Sequence, residues 1–231
     1  MPLTPDFWLI EFTVITVTSG VQLDPDITQL ANGNILVSWT NSNDTGAGSP
    51  PGLDIIGQLY NSLGEPIGGE FLLNQSVQFD NESAARSTAL PGGGFSMVYI
   101  DDDGLGVDIE VANFDAAGVQ QSRRTVVSGD NSLPEYRDPT ITAISDTQAL
   151  IAYVEDNASG DERILIRTYD PSTNTLGSVV QAFDGDSGNN GNIINLEIDV
   201  LGNGNYIIGG TVQGTGNIVY SVVSPGGIAV P

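Results

Sequence analysis

The chain has 231 residues, 39% of them hydrophobic, and a formal net charge of −23 from 29 acidic residues against six arginines. That length supports one sizeable β domain with a buried core. The charge repels nucleic acid and anionic lipid, and attracts divalent cations or basic surfaces. Lysine, histidine and cysteine are all absent from the sequence, which excludes disulfides, thiolate or imidazole metal sites, Schiff bases, thiol catalysis and Ser-His-Asp triads.

The first twenty residues, MPLTPDFWLIEFTVITVTSG, lack a basic n-region and a small-residue cleavage site. Their apolar run is broken by Glu11 and is too short to span a bilayer. Within them, residues 12–19 (FTVITVTS) read as a strand with no partner before it. From Asp26 to Gln75 four short strand signals follow, each closed by a turn: DITQL before Asn32-Gly33, ILVSWTN before a polar Gly/Pro loop, LDIIGQLY before Asn61-Ser62-Leu63-Gly64, and GGEFLLNQ after Pro66. Alternation of apolar and polar residues, many β-branched side chains and Gly, Asn and Pro at the breaks predict an antiparallel meander.

The rest of the chain repeats this unit. Blades are expected over about 26–75, 83–129, 138–185 and 194–231. One position fixes the register. The residue before the third-strand turn is Tyr60, Phe114, Tyr169 and then Val223, at intervals of 54, 55 and 54 positions, as expected for a side chain packed between neighbouring sheets. Four-stranded units of this length are the signature of β-propeller blades. Each is too thin to bury its own faces and must stack on the next. The fourth repeat lacks a fourth strand, so the expected fold is all-β, a four-bladed propeller in which strand 12–19 completes the last blade. The competing arrangement donates that strand to a neighbouring molecule.

Asn32, Gly33, Ile35, Val37, Trp39, Gly57, Gln58, Tyr60, Gly64, Gly69, Glu70, Phe71 and Asn74 match a DG-x-FVV-x-W segment followed by a G-Q-x-(F/Y)-D-x-x-G-x-x-x-G-x-EF-x-(V/L)-N segment. In this the chain resembles the repeats of large secreted RTX and haemolysin-type calcium-binding bacterial and cyanobacterial proteins. The match is good over the first repeat, fair over the next two and poor over the last. The resemblance implies a propeller-like, non-enzymatic module of adhesins and surface proteins. The glycine-rich nonapeptide of calcium β-rolls is absent from the sequence.

Asp101-Asp102-Asp103-Gly104-Leu105-Gly106-Val107-Asp108 resembles the calcium loops of FG-GAP propeller repeats. A hard cation takes six to eight oxygens, and glycines let the chain wrap around it. Asp101, Asp103 and Asp108 are the expected ligands, with Asp156, Asn157 and Asp161 in the corresponding loop of the third repeat; the alternative is an exposed acidic turn. Calcium is thus the expected cofactor, and the arginines are expected to pair with local carboxylates. Trp39 is expected in the core and Trp8 at an intermolecular contact. No catalytic residue is expected. The function expected is a non-enzymatic structural or adhesive module of an extracellular or cell-surface assembly, associating with itself or with other surface proteins. The alternatives are a carbohydrate-binding, lectin-like propeller and a virion or filament protein.

Overall fold

The computed structural model describes residues 13–16, 20–42, 52–75, 81–130, 135–156, 162–184, 192–213, 215–226 and 228. Sixteen strands among them form four antiparallel sheets, each built from consecutive strands. Sheet 1 holds β1 (Gln22–Gln29), β2 (Ile35–Asn41), β3 (Asp54–Tyr60) and β4 (Pro66–Leu72) in that order. Sheet 2 holds β5 (Asn81–Ala89), β6 (Phe95–Asp102), β7 (Val107–Phe114) and β8 (Gln120–Val127). Sheet 3 runs β9 (Glu135–Ser145), β10 (Gln148–Asp156), β11 (Glu162–Asp170), with the short β12 (Thr175–Leu176) and β13 (Val180–Asp184) both on the outer edge of β11. Sheet 4 has three strands, β14 (Ile193–Val200), β15 (Tyr206–Val212) and β16 (Asn217–Val223).

The turns follow from the sequence. Leu30 N–H donates to Asn34 carbonyl at 2.8 Å and Gly33 N–H to Leu30 carbonyl at 2.9 Å, and the same pair of bonds recurs at Leu90–Gly94 and Leu201–Asn205. The slot three residues after the leucine is glycine in all three turns because its φ is left-handed: +84° at Gly33, +109° at Gly93 and +82° at Gly204.

Packing between sheets uses one rule three times. The second and third strands alternate, so each sheet presents a leading face to the next sheet and a trailing face to the one before. Leu36, Ile55 and Leu59 on the leading face of sheet 1 pack on Phe95, Met97 and Tyr99 of sheet 2. Val98, Ile109 and Val111 of sheet 2 meet Ala149, Ile151 and Tyr153 of sheet 3. Leu150, Ala152, Ile164 and Ile166 of sheet 3 meet Tyr206, Ile208 and Val223 of sheet 4. The position that set the repeat period falls in these interfaces: Phe114, Tyr169 and Val223 are buried in the three cores in turn, and Phe114 stacks on Phe95 with ring centroids 4.7 Å apart. Trp39 is buried as expected, and Trp8 lies outside the described residues. Inner strands β1, β5, β9 and β14 pack side by side in that order.

The N-terminal segment corrects the expectation of a strand that completes the last blade. Its described part, residues 13–16, is not a strand. It lies against sheet 1: the Tyr60 hydroxyl donates to the Val14 carbonyl at 3.2 Å, and the Thr16 hydroxyl to Glu70 Oε1 at 2.8 Å. The physical reason is burial. Trp39, Ile56 and Tyr60 on the trailing side of sheet 1 have no earlier blade to cover them, yet all three are buried. Residues 12 and 17–19 lie outside the described residues.

Three core tyrosines carry a pH signature. Burial pushes the pKa of Tyr153 up to about 12, opposed by Arg167. Burial likewise pushes Tyr169 up to about 12, opposed by a hydrogen bond from Asn113, and Tyr206 up to about 12. A folded-state pKa above the ordinary 10.0 means that the unfolded chain gives up these protons first. The stability they contribute is therefore complete below pH 10 and is lost as the pH rises from 10 toward 12. Urea unfolding followed across that range, with tyrosinate absorbance read alongside, is expected to show a falling free energy, with the three phenols ionising only as the fold opens.

Candidate active site

Every inner strand carries the same irregularity. Asp24, Ala84, Asp138 and Asn195 have φ of 49°, 53°, 50° and 54°, and each sits at a break in its strand's register with the second strand. They lie at intervals of 60, 54 and 57 positions, each 15 residues before Trp39, Tyr99, Tyr153 and Gly210 of the second strands. Each is thus the same β-bulge in successive blades. A left-handed residue in a bulge bends the strand and re-aims its side chain. Asp and Asn tolerate that conformation best among residues with a Cβ, and three of the four positions hold one of them.

The bulges occur in the N-terminal halves of the inner strands, away from the first hairpin turn of each blade. Asp24 is exposed and Asp138 half-buried. Asp138 Oδ2 pairs with Arg137 Nη1 at 3.1 Å, and the same guanidinium binds Glu162 and donates to the Ile193 carbonyl of sheet 4. Inner strands are also tied directly. Asp26 Oδ2 accepts the Ser87 N–H at 2.8 Å and the Ser87 hydroxyl at 2.6 Å, and Thr88 Oγ1 accepts the Ala143 N–H at 3.1 Å. One end of the inner strands therefore presents carboxylates, and β9, which carries Asp138, is held between β5 and β14. The opposite end has a groove of about 500 Å³ between sheets 3 and 4, lined by Thr147, Gln148, Thr168, Asp170 and Pro225. Its one carboxylate is engaged in its own turn: burial acts against the Asp170 charge, but bonds from Ser172 and Thr173 outweigh it and lower the pKa.

A second group of carboxylates is structural. Glu110 and Asp101 are buried; Arg123 Nε donates to Glu110 Oε2 at 2.9 Å, and Nη2 lies 3.6 Å from Asp101 Oδ2. The Thr125 hydroxyl donates to Glu110 Oε1 at 2.6 Å. Burial opposes the Arg123 charge, but the bond to Glu110 and the nearby Tyr99, Glu110 and Asp101 outweigh it, and its pKa is raised. Burial raises the Tyr99 phenol, with Arg123 acting in the opposite sense.

The residues expected to bind calcium are accounted for in this arrangement. Asp101 is held by Arg123. Asp103 Oδ1 accepts the Leu105 N–H at 2.7 Å. Asp108 accepts the Gly129 N–H at 2.9 Å and the Ser128 hydroxyl at 3.2 Å. Asp101 and Asp108 face each other across β6 and β7, while Asp103 turns back on its own loop. Among the described residues no three acidic side chains come together to hold a metal ion. Asp156 ends β10 opposite Glu162, and Asn157 and Asp161 lie outside the described residues. The arginines do pair locally, as Arg123, Arg137 and Arg163 show.

Asp24 and Asp138 have no place among the residues singled out in the sequence. Their signal there is an Asp-Pro dipeptide, Asp24-Pro25 and Asp138-Pro139, at the same repeat position two blades apart. The bulge that gives this dipeptide meaning is a backbone property.

No family model matches the chain, and no curated protein sequence does. Solved structures match at low identity. A Hadza microbial sialidase superposes with a TM-score of 0.66 at 11% identity, over 89% of this chain and 45% of that one. A Penicillium chrysogenum α-L-arabinanase complexed with arabinobiose gives 0.61 at 16%, over 90% and 65%. A Fusarium graminearum α-L-arabinofuranosidase gives 0.61 at 15%, over 88% and 63%. The fold is that of a β-propeller. This chain spans less than half of the sialidase and about two thirds of the arabinan-cleaving enzymes. These structures are glycan hydrolases rather than RTX repeats or adhesins, and this overturns the expectation of a non-enzymatic adhesive module. Among the described residues no helix is long and apolar enough to cross a membrane.

Replacing Arg123 by Met strands Glu110 as a buried, unpaired charge, which costs about 3–5 kcal/mol. Urea unfolding of Arg123→Met is expected to show that loss, and the double variant Arg123→Met/Glu110→Leu is expected to recover most of it.

Proposed function

We propose that this chain is a glycan-cleaving propeller acting on arabinose-containing polysaccharide outside the cell, with Asp24 and Asp138 as its reacting carboxylates. The observation that carries this reading is the pair itself: two aspartates held by the same bulge on inner strands, in a chain without His, Cys or Lys. Glycoside hydrolysis is an enzymatic chemistry that such a composition leaves open. It needs two carboxyl groups flanking the scissile bond, one to protonate the leaving oxygen and one to activate water or attack the anomeric carbon. Asp138, fixed by Arg137, is assigned the carboxylate that faces the positive charge developing on the sugar ring. Asp24, exposed and without such a partner among the described residues, is assigned the proton transfer. The likeness to an arabinanase and arabinofuranosidases supports the substrate class.

Reducing-sugar release from arabinan, arabinoxylan and sialyllactose tests the proposal. Arabinan or arabinoxylan is expected to be cleaved, with Asp24→Asn and Asp138→Asn each lowering kcat by about 10²–10⁴ while the melting temperature holds. Binding without release, or full activity in both variants, overturns it.

A further inference from the structure

Sheet 4 has a leading face like those of the other sheets, and that face is bare. At one third-strand position Ile55, Ile109 and Ile164 are each 0% exposed against the following sheet, whereas the equivalent Ile218 is 78% exposed. At the next, Val111 and Ile166 are 0% exposed and Tyr220 is 68% exposed. A groove of about 550 Å³ crosses this face, lined by Glu197, Asp199, Ile207, Gly209, Ile218 and Tyr220. Among the described residues, no strand of sheet 1 packs against a strand of sheet 4 as β1 does against β5.

Polar groups on the same face carry a second, independent signature. Where inner strands meet, Asp26 accepts the Ser87 N–H and Thr88 accepts the Ala143 N–H. By the repeat register, the sheet 4 counterparts of these acceptors are Glu197 and Asp199, both exposed. Asp199 Oδ1 takes the Val200 N–H at 2.7 Å, which leaves its other oxygen for a partner. The counterparts of the donors Ser87 and Ala143 in sheet 1 are Ile27, 70% exposed, and Gln29. Beside them Ile35 and Val37 are half-buried; these are the counterparts of Phe95 and Met97, which seat sheet 2 on sheet 1. Residues 13–16 contact Tyr60 and Glu70, on the third and fourth strands, clear of the inner strand β1.

We propose that the leading face of sheet 4 docks the inner strand β1 of a second copy of this chain, together with the half-buried Ile35 and Val37 beside it. The two surfaces differ, so the contact is heterologous, and two such arcs either close a ring or extend. Glu197 and Asp199 accept the Ile27 and Gln29 N–H groups of the second copy, while Ile218 and Tyr220 cover its Ile35 and Val37. Each copy carries a charge of −23, so the contact strengthens as salt screens the repulsion. This proposal stands apart from the glycan activity.

Sedimentation velocity over a concentration series in ~0.5 M NaCl, where the screening length is a few ångströms, tests it. The native chain is expected to gain mass with concentration. Tyr220→Glu and Ile27→Glu, both at exposed positions, are each expected to stay monomeric with an unchanged melting temperature. An equimolar mixture of the two is expected to form a 1:1 complex, because each variant retains one intact half of the contact. A native chain that stays monomeric at every concentration and salt level overturns the proposal, as does an assembly that survives Ile27→Glu or a mixture that fails to pair.

Discussion

The structure depends on one constraint: a four-stranded sheet with apolar residues on both faces cannot exist alone in water. Burying a large aliphatic or aromatic side chain contributes about 1.5–3 kcal/mol, and each interface here buries a comparable set from two sheets. Leu36, Ile55 and Leu59 have no value to sheet 1 without Phe95, Met97 and Tyr99. The same dependence holds at the next two interfaces. Stability is therefore a property of neighbouring pairs of blades, and an unpaired blade face remains adhesive. The N-terminal segment answers that problem at Tyr60 in the first sheet. Ile218 and Tyr220 show it unanswered in the last.

Apolar packing brings blades together but specifies their register weakly. The polar contacts at the inner strands do that. Asp26 gripping Ser87, and Thr88 taking the Ala143 N–H, each fix one strand against the next at a single residue. Arg137 does the same between sheets 3 and 4 by holding Glu162, Asp138 and the Ile193 carbonyl at once. Buried ion pairs add little net stability, because desolvation offsets the attraction. Their contribution here is positional. They set how the inner strands line up, and so where the bulged residues point.

How much of this was legible in the sequence depended on which physical demand each residue answers. The aromatic before the third-strand turn is set by packing alone. Tyr60, Phe114 and Tyr169 therefore read correctly as a period, and the strands fell into place around them. Residues 12–19 carry a good strand pattern, yet the described part lies on the uncovered side of sheet 1. A β-branched apolar segment satisfies either an edge or a face, and its pattern does not say which. The acidic loop after β6 is ambiguous for a different reason. A D-x-D-G sequence fits a cation site and a self-bonded turn equally, and here Leu105, Gly129 and Arg123 each engage a carboxylate oxygen, of Asp103, Asp108 and Asp101 respectively. Asp24 and Asp138 were silent because their bulged placement rests on a backbone angle that composition and alternation do not encode.

That backbone angle separates structure from chemistry at the candidate site. The bulge occurs in all four blades, so it belongs to the fold, and Ala84 shows that it forms without a polar side chain. What varies is the residue placed there. Left-handed preference favours Asn or Asp and accounts for part of the pattern. It does not account for Pro25 and Pro139, since a following proline biases the residue before it toward extended backbone. Asp24 and Asp138 thus hold a conformation that their own neighbours oppose, and a non-glycine residue in such a state costs about 1–3 kcal/mol unless its surroundings enforce it. At Asp138 the enforcement is visible in Arg137, which anchors the side chain on one flank and sheet 4 on the other. Strain retained at two carboxylates, and relieved of any structural need for them by Ala84, is the pattern expected where side-chain chemistry rather than folding chose the residue.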